Sequence, residues 1–304
     1  MTTAARKLVA LLDSFQRRRP MRAGSLIVTI YGDAIVPRGG SLWLGSLLDL
    51  MAGFGVEPGL VRTAISRLVT DGWFERTRIG KQSYYRLSVW GASEFATATA
   101  RIYRACEPPW SGEMEIALIA TADTALRATH RDRMLRAGWG QASSNVMARP
   151  RIGPDKGPPA AGTASACPDI IFLTTRPQSA ESARALAQVC WQLDGLAAAY
   201  RAFLKAFGPV AEDIAGGAQL GDMHALQLRI LLIHDWRRIV LRDPLLPRAM
   251  LPEDWPGNRA LELVCGVYRQ ALAGAERWLD RHVVNEDGPL PPPSMALAER
   301  FRAM

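Results

Sequence analysis

The sequence predicts an α+β protein with several domains: an N-terminal winged helix-turn-helix, a central ferredoxin-like α+β domain and a mainly helical C-terminal domain. Three observations lead to this prediction. Three helix-like segments precede two strand-like runs in the first third, strand and helix patterns alternate in the middle, and helical periodicity dominates the end. The predicted domains are residues 1–107, 110–191 and 192–304.

Composition excludes several classes of protein. The chain has 304 residues, of which 48% are hydrophobic and 22% charged, and at roughly 150 residues per domain it is long enough for two or three domains. Its longest apolar runs, at 25–30 and 226–233, are far shorter than the roughly 20 residues that cross a bilayer. The N-terminus lacks the residue order of a secretory signal. We therefore expect a cytoplasmic protein without a membrane partner.

Positive charge is concentrated in the first third of the chain. The formal net charge is +8, and residues 1–110 carry 15 Lys+Arg against 8 Asp+Glu, a net +7. Residues 111–304 carry 22 against 21, a net +1. This asymmetry indicates a module that binds a polyanion, joined to a nearly neutral remainder.

Two short helices are predicted near the N-terminus. The apolar segment 22–32 indicates a buried helix that Gly32 stops. After a turn-rich stretch, Ser41 is placed to cap a second helix, whose apolar positions over 44–51 follow helical spacing. Gly53 marks the end of that helix.

A third helix is predicted from Glu57 to Thr70. Val61, Ile65 and Leu68 lie within about 40° of one another on a helical wheel, so they form its buried stripe. The opposite face combines short hydrogen-bonding side chains with guanidiniums, a mixture suited to base edges and phosphates in a major groove. An ordinary solvated helix face is the alternative. The candidate base-contacting residues are Arg62, Thr63, Ser66 and Arg67.

The runs 73–79 and 82–87, joined across Gly80-Lys81, predict a β-hairpin with a basic tip. Three helices followed by a hairpin is the order of a winged helix-turn-helix, and a plain structural hairpin is the alternative. The residues expected on phosphates or in the minor groove are Arg38, Arg76, Arg78, Lys81 and Arg86. The run Arg17, Arg18, Arg19 and Arg22 is either an additional arm that follows the DNA backbone or a solvated charge run.

The middle of the chain follows a β-α-β-loop-β-α order, which is consistent with a small ferredoxin-like unit. A Pro-rich boundary at 107–109 precedes it, and its Pro-, Gly- and Ala-rich segment 150–168 is expected to be a mobile loop. The predicted strands are 114–121, 141–147 and the buried-looking 169–175, and the predicted helices are 123–137 and 179–191.

The C-terminal third is predicted to be helical. A helix from residue 193 should end at Gly208-Pro209, because proline lacks the N–H that continues a helix. Two long helices are expected at 218–240 and 259–281, with an irregular segment at 243–257, an extended one at 289–293 and a short helix near 295–302.

The sequence resembles the PaaX-type repressors of phenylacetate degradation. In the first third the resemblance rests on the strings Ser25-Leu26-Ile27-Val28-Thr29, Gly32-Asp33, Pro37-Arg38-Gly39-Gly40, Trp43-Leu44-Gly45-Ser46-Leu47, Leu60-Val61-Arg62-Thr63-Ala64, Arg67-Leu68, Asp71-Gly72-Trp73 and Ser83-Tyr84-Tyr85-Arg86-Leu87. Near the C-terminus it rests on Ile233-His234-Asp235-Trp236-Arg237-Arg238, Arg242-Asp243-Pro244, Leu245-Leu246-Pro247, Leu251-Pro252 and Trp255-Pro256-Gly257. The middle of the chain corresponds only loosely.

The resemblance implies a homodimeric repressor of an aromatic-acid catabolic operon. In that family a winged helix binds operator DNA, a ferredoxin-like domain helps the protein to dimerise, and an aryl-CoA thioester, phenylacetyl-CoA, releases the DNA. Because CoA carries several phosphates, a basic cluster near the C-terminal signature is a candidate effector site. Structural salt bridges to Asp235 or Asp243 are the alternative. The candidate effector residues are His234, Arg237, Arg238 and Arg242.

Other functions and cofactors are not indicated. The chain contains no GxSxG or GxGxxG motif, no metal-spaced histidines and no CxxC pair, so we predict no catalytic residue, metal or cofactor. An adaptor that binds DNA and responds to a protein partner is the alternative function, and an acyl-CoA enzyme a more distant one. The cysteines, which we expect to be reduced thiols, are Cys106, Cys167, Cys190 and Cys265.

Overall fold

A computed structural model describes residues 2–20, 22–104, 110–152 and 168–302. The chain is mixed α and β and forms two compact units. The first unit comprises residues 1–105, 200–241 and 257–304, and the second comprises 106–199 and 242–256. The sequence-based boundaries kept residues 1–107 and 192–304 apart. The structure divides the chain differently because the C-terminal third contributes to both units and forms no body of its own.

The N-terminal part of the first unit contains the elements expected from the sequence. They are α1 (Thr3–Gln16), α2 (Ala23–Ile30), β1 (Ser41–Trp43), α3 (Leu44–Ala52), α4 (Pro58–Thr70), β2 (Phe74–Ile79), β3 (Gln82–Leu87) and α5 (Val89–Ile102). The strands form an antiparallel sheet in the order β1-β3-β2. The predicted third helix and the hairpin across Gly80-Lys81 are confirmed, with Gly80 at φ 59° in the turn.

Two local predictions in this region are wrong. Gly32 does not stop α2, because the chain continues as a π-helical segment (Tyr31–Ile35) and a 3-10 turn (Val36–Arg38). Glycine at this position lets the ring of Phe95 pack against the backbone, since a Cβ on Gly32 would lie 2.3 Å from that ring. Ser41 does not cap a helix; it lies in β1 and its hydroxyl donates to Glu286.

The second unit is built on a four-stranded antiparallel sheet. Its elements are β4 (Trp110–Ile119), α6 (Thr124–Arg136), β5 (Gly140–Ser143), β6 (Val146–Ile152), β7 (Ile170–Thr175) and α7 (Ala180–Cys190), with strand order β5-β6-β4-β7. Ala117, Met134 and Trp139 are part of its core, between α6 and one face of the sheet.

The single strand predicted at 141–147 is wrong, because Ser144 and Asn145 form a turn that divides it into β5 and β6. Residues 150–152 of the predicted loop belong to β6, while 153–167 and the predicted boundary at 107–109 lie outside the described residues. Strand β7 is an edge strand and is largely exposed rather than buried.

The C-terminal part of the chain is helical, as predicted. Its elements are α8 (Leu193–Ala215), α9 (Asp222–Val240), a 3-10 turn (Arg248–Met250), α10 (Pro256–His282), β8 (Val284–Asn285), β9 (Gly288–Pro289) and α11 (Met295–Ala298). The predicted end at Gly208-Pro209 is wrong, because α8 continues through Pro209. Phe207 and Val210 are buried on either side of the proline, and this packing offsets the missing backbone hydrogen bond.

Helix α9 lies at the centre of the first unit. Residues 225–234 are all buried, and the helix contacts α1, α2 and α5. A helix that is apolar around its whole circumference belongs in a core, and residues 226–233 are one of the apolar runs noted in the sequence. Across the described ranges, no helix combines the length and the apolar character that spanning a membrane requires.

Candidate nucleic-acid interface

Helix α4 presents a polar face to solvent. Val61 and Ile65 are buried, as their spacing predicts, and they fix the helix against its neighbours α2 and α3. The Thr63 hydroxyl donates to the carbonyl of Gly59 at 2.9 Å, so its lone pairs remain available. The residues that this face exposes are Arg62, Thr63, Ser66, Arg67 and Thr70.

The two arginines of α4 are exposed. Among the described residues, neither Arg62 nor Arg67 has a carboxylate oxygen within 4.0 Å. Thr63 and Arg67 are spaced i, i+4 along the helix, so the Thr63 hydroxyl and the Arg67 guanidinium lie on one helix face. Two uncompensated guanidiniums with hydroxyls between them can meet phosphates and base edges together.

The hairpin divides its basic residues between two faces. The register pairs Arg76 with Tyr85 and Arg78 with Ser83, so both arginines lie on the face that also carries Phe74. Arg76 Nε donates to Ser83 Oγ at 3.1 Å, which orients that side chain across the strands. Lys81 is exposed at the tip. Arg76, Arg78 and Lys81 are therefore at the surface, where a contact with DNA remains a prediction.

Arg86 is held by the C-terminal part of the unit. It pairs with Glu75 in the strand register and lies on the other hairpin face from Arg76. Its guanidinium binds Glu286 Oε1 at 2.7 Å. Glu286 lies between β8 and β9, and the pKa of its carboxyl is lowered because hydrogen bonds from Ser41 and Arg86 outweigh the effect of burial. Arg86 is thus partly neutralised.

The prediction of Arg38 as a DNA contact must be corrected. Its side chain is only 1% exposed. Nη1 binds Glu276 Oε2 at 2.8 Å, Nη2 binds Asp280, and Nε donates to the carbonyl of Pro291 at 2.9 Å. A guanidinium enclosed in this way cannot reach a phosphate, so Arg38 is a structural residue that connects the 3-10 turn after α2 with α10.

Arg38 belongs to a buried network centred on Asp33, whose side chain is fully enclosed. Arg229 Nε binds Asp33 Oδ2 at 2.6 Å, and Arg229 also binds Glu276, which it shares with Arg38. The hydroxyls of Tyr103 and Tyr268 donate to Asp33 Oδ1 at 2.7 and 3.0 Å. Burial raises the pKa of Tyr268 to about 12, so both phenols remain donors at neutral pH. Arg300 Nη1 also binds Asp33 Oδ1, at 3.2 Å.

Sequence reasoning missed this network, although a signal was present. Asp33 is the only charged residue in the apolar segment 23–37, and Arg229 is the only one in the apolar run 225–233. A lone charge in a buried segment must find a partner of opposite sign, because an unpaired buried charge costs several kcal/mol (order of magnitude). Two lone charges of opposite sign in separate buried segments therefore predict an ion pair between Asp33 and Arg229.

The predicted effector histidine is a core residue. His234 is buried in the core, where its Nδ1 lies 3.0 Å from Thr29 Oγ1. The single Thr29 hydrogen is donated to the carbonyl of Ser25 at 2.9 Å, so Nδ1 must be the donor and Nε2 is unprotonated. Burial lowers the pKa of His234 from 6.5 to about 4. A neutral core histidine is not a phosphate ligand.

The three predicted effector arginines have different surroundings. Arg237 Nη2 donates to the carbonyl and hydroxyl oxygens of Ser25 at 2.9 and 2.7 Å. Arg238 is exposed, and Arg242 belongs to the second unit rather than the first. Asp235, the structural alternative considered for these cations, instead forms a bidentate pair with Arg18 at 2.6 and 2.7 Å.

The described part of the chain contains no group of three or more His, Cys, Asp or Glu side chains arranged to hold a metal ion. Cys190 and Cys265 are buried free thiols, and burial raises the pKa of Cys190 to about 11. A thiol with that pKa is protonated and a poor nucleophile at neutral pH. Cys106 and Cys167 lie outside the described residues.

The chain matches a known protein family. The model of the "PaaX-like protein" family matches residues 22–91, and that of the "PaaX-like protein C-terminal domain" matches residues 191–281. The curated "Transcriptional repressor PaaX" of Escherichia coli (strain K12) is 32% identical over 286 residues, which cover 93% of this chain and 90% of the relative.

Among solved structures, the "Uncharacterized protein Rv0674 from Mycobacterium tuberculosis" is 22% identical with a TM-score of 0.48, over 77% of this chain and 88% of that one. The first family match contains α2 to α4 and the hairpin, and the second contains α9 and most of α10. The resemblance inferred from sequence motifs is thereby confirmed, and the chain belongs to the PaaX-like protein family.

Proposed function

We propose that the chain is a transcriptional repressor that binds operator DNA through a winged helix-turn-helix, with α4 as the recognition helix and the β2–β3 hairpin as the wing. The observation that carries this proposal is the exposed face of α4. There the guanidiniums of Arg62 and Arg67, without a carboxylate partner among the described residues, lie beside the hydroxyls of Thr63 and Ser66. The repressor name of the relative from Escherichia coli supports it.

The side chains of α4 account for how the protein would recognise a DNA sequence. Arg62 and Arg67 can donate two hydrogen bonds to a guanine edge or bind phosphates, and the hydroxyls of Thr63 and Ser66 can accept or donate at neighbouring bases. Buried Val61 and Ile65 hold α4 in one orientation, which fixes the register of these contacts. The wing residues Arg76, Arg78 and Lys81 would bind backbone phosphates or the minor groove next to the site, adding affinity without sequence information.

The proposed repressor is a homodimer. The β-α-β-β order of the second unit, followed by β7 and α7, supports the assignment of a ferredoxin-like domain that helps to dimerise the protein. Ile171 and Leu173 lie on one face of the edge strand β7 and are 51% and 48% exposed, which suits an apolar contact between two copies. Light scattering at micromolar concentration should give twice the monomer mass, and a monomer mass would reject this part.

The proposed effector is an aryl-CoA thioester such as phenylacetyl-CoA, whose binding releases the operator of an aromatic-acid catabolic operon. Membership of the PaaX-like family supports this assignment. Such a repressor acts in the cytoplasm on chromosomal DNA and needs neither a metal nor catalytic residues.

A mobility-shift experiment on duplex DNA from the gene's own upstream region tests the proposal. The double variant Arg62→Ala and Arg67→Ala should lose at least about 30-fold in affinity, since each base contact contributes about 1–3 kcal/mol. The matched control is Arg277→Ala with Arg281→Ala, which removes two exposed cations from α10. If the two double variants bind duplex DNA with equal affinity, α4 is not part of the DNA interface.

The same experiment with phenylacetyl-CoA tests release. We expect the shifted band to disappear as the thioester concentration rises, with no change on adding CoA alone. DNA binding that persists at every thioester concentration would instead favour regulation by a protein partner.

A further inference from the structure

A cavity of about 330 Å³ lies inside the first unit, between α2, α5 and α9. Its walls are mostly apolar and include Val28, Ala98 and Ile233, with the aromatic rings of Trp73 and Phe95 at one side. This volume is at the lower end of the range for small-molecule sites, which are typically about 300–1,000 Å³ and apolar with a few polar groups.

Arg237 is one of the charged residues that line this cavity, together with Asp33, Glu94 and Arg101. One terminal nitrogen of Arg237 is bound to Ser25, but its Nε is buried without a hydrogen-bond partner. Among the described residues no carboxylate oxygen lies within 4.0 Å of this guanidinium. Burial lowers the pKa of Arg237, as expected for a cation that has lost water and gained no anion. A buried polar atom without a partner is costly, so an oxygen acceptor that entered the cavity would bind there favourably.

The shape and chemistry of the cavity select a class of ligand. Apolar and aromatic walls favour a flat hydrocarbon group, and the guanidinium of Arg237 favours a carboxylate or carbonyl oxygen at its end. A whole CoA thioester, with its nucleotide and several phosphates, is larger than 330 Å³. The acyl end of such a thioester, or the free acid, is the part that the cavity can enclose.

The cavity also touches the elements assigned to DNA. Trp73 lies between α4 and β2; its N–H donates to the carbonyl of Leu68 in α4 at 2.9 Å, and its carbonyl accepts from the N–H of Ser88 at 3.0 Å. A ligand that presses on the Trp73 ring therefore acts where α4 and the hairpin meet. Movement at this point would change the angle between the recognition helix and the wing.

We propose that this cavity binds the aryl-acyl group of a small aromatic acid or of its thioester, with Arg237 bound to the acyl oxygen, and that occupancy alters the α4–hairpin junction. The binding step stands on the cavity alone, whereas its consequence for DNA rests on the proposed function. The site differs from the basic cluster expected from the sequence, of which it retains only Arg237.

Calorimetry on the full chain without DNA tests the site, with phenylacetate, phenylacetyl-CoA and CoA as probes. Arg237→Gln removes the cation and Ala98→Phe fills the cavity; each should weaken the binding of a phenylacetyl probe about tenfold or more. Arg238→Gln is the matched control, because this neighbouring arginine is exposed, and it should bind as the unaltered protein does. In addition, quenching of tryptophan fluorescence by the probe should decrease in Trp73→Phe.

The probes distinguish the two sources of the aryl-acyl group. Binding of phenylacetate identifies the free acid, and binding of phenylacetyl-CoA alone identifies the thioester; either result supports the site. The proposal is overturned if neither phenylacetyl probe binds, if CoA binds as tightly as its thioester, or if a folded Arg237→Gln variant binds normally. If Ala98→Phe does not fold, the Arg237→Gln and Trp73→Phe variants still test whether the cavity binds the probe. DNA binding measured without ligand is a separate readout, so the two proposals can fail independently.

Discussion

The arginines of the first unit belong to two groups with opposite roles. Arg38 and Arg229 are enclosed, and both bind Glu276, whose side chain is 15% exposed. Arg62 and Arg67 are exposed and have no carboxylate partner among the described residues. A guanidinium keeps its charge in both settings, so the surroundings rather than the residue type decide whether it holds the fold or is available to a polyanion.

Only part of the positive charge of residues 1–110 is available to bind DNA. Within the described residues, four of the 15 cations of residues 1–110 bind carboxylates from the C-terminal part of the same unit. These pairs are Lys7–Asp213, Arg18–Asp235, Arg38–Glu276 and Arg86–Glu286. The other cations include five exposed ones on α4 and the hairpin, namely Arg62, Arg67, Arg76, Arg78 and Lys81. This set is a more specific basis for DNA binding than a net charge of +7.

The largest effect should come from the enclosed group. Arg229→Met leaves Asp33 buried with one partner fewer, and removing one member of a buried pair costs roughly 3–5 kcal/mol. Urea denaturation should show that loss in the free energy of unfolding. Arg277→Met is the control, since Arg277 forms a half-exposed pair with Asp222 and should cost about 1 kcal/mol or less. Equal losses would remove the distinction between the two groups.

The free energy of unfolding should depend on pH through His234, which is enclosed like Arg38 and Arg229 but is neutral. Its pKa is about 4 in the folded chain and returns to 6.5 on unfolding. Between these values the unfolded chain binds a proton that the folded chain does not, so stability is lost as the pH falls from 6.5 towards 4, by roughly 3 kcal/mol in total. His234→Gln should remove this dependence, whereas exposed His282→Gln should retain it. A profile for His234→Gln that still falls in this window would show that other groups cause it.

Much of the DNA-binding part could be predicted from the sequence, because its signals are local. Helical spacing identified Val61 and Ile65, and the turn at Gly80-Lys81 identified the hairpin; both depend on residues within one or two turns. The partners of Arg38 and Arg86 could not be predicted in this way, since Glu276 and Glu286 lie about two hundred residues further along the chain. Periodicity also cannot show that residues 200–241 pack with the N-terminal part.

Arg78, which is exposed, and Arg38, which is enclosed, should respond differently in a DNA-binding experiment. Arg78→Gln should make the dependence of log affinity on log salt concentration shallower by about one unit, because one phosphate contact is lost. Its thermal stability should not change. Arg38→Gln should have the opposite pattern, a clear loss of stability with an unaltered salt slope, because Arg38 is bound to Glu276 and Asp280. If Arg38→Gln folds normally and has a reduced slope, Arg38 reaches the DNA after all.

The smallest effect is expected at Arg86, which is intermediate between the two groups. Its side chain is 52% exposed and binds Glu286, so the pair should contribute less than about 1 kcal/mol to stability. Glu286→Gln removes the carboxylate charge while leaving a polar side chain for Ser41 and Arg86 to bind. The freed Arg86 charge should raise DNA affinity at most a few fold and make the salt dependence slightly steeper. Weaker DNA binding in Glu286→Gln would instead mean that the ion pair positions the wing, and Arg86 would then belong with the enclosed arginines.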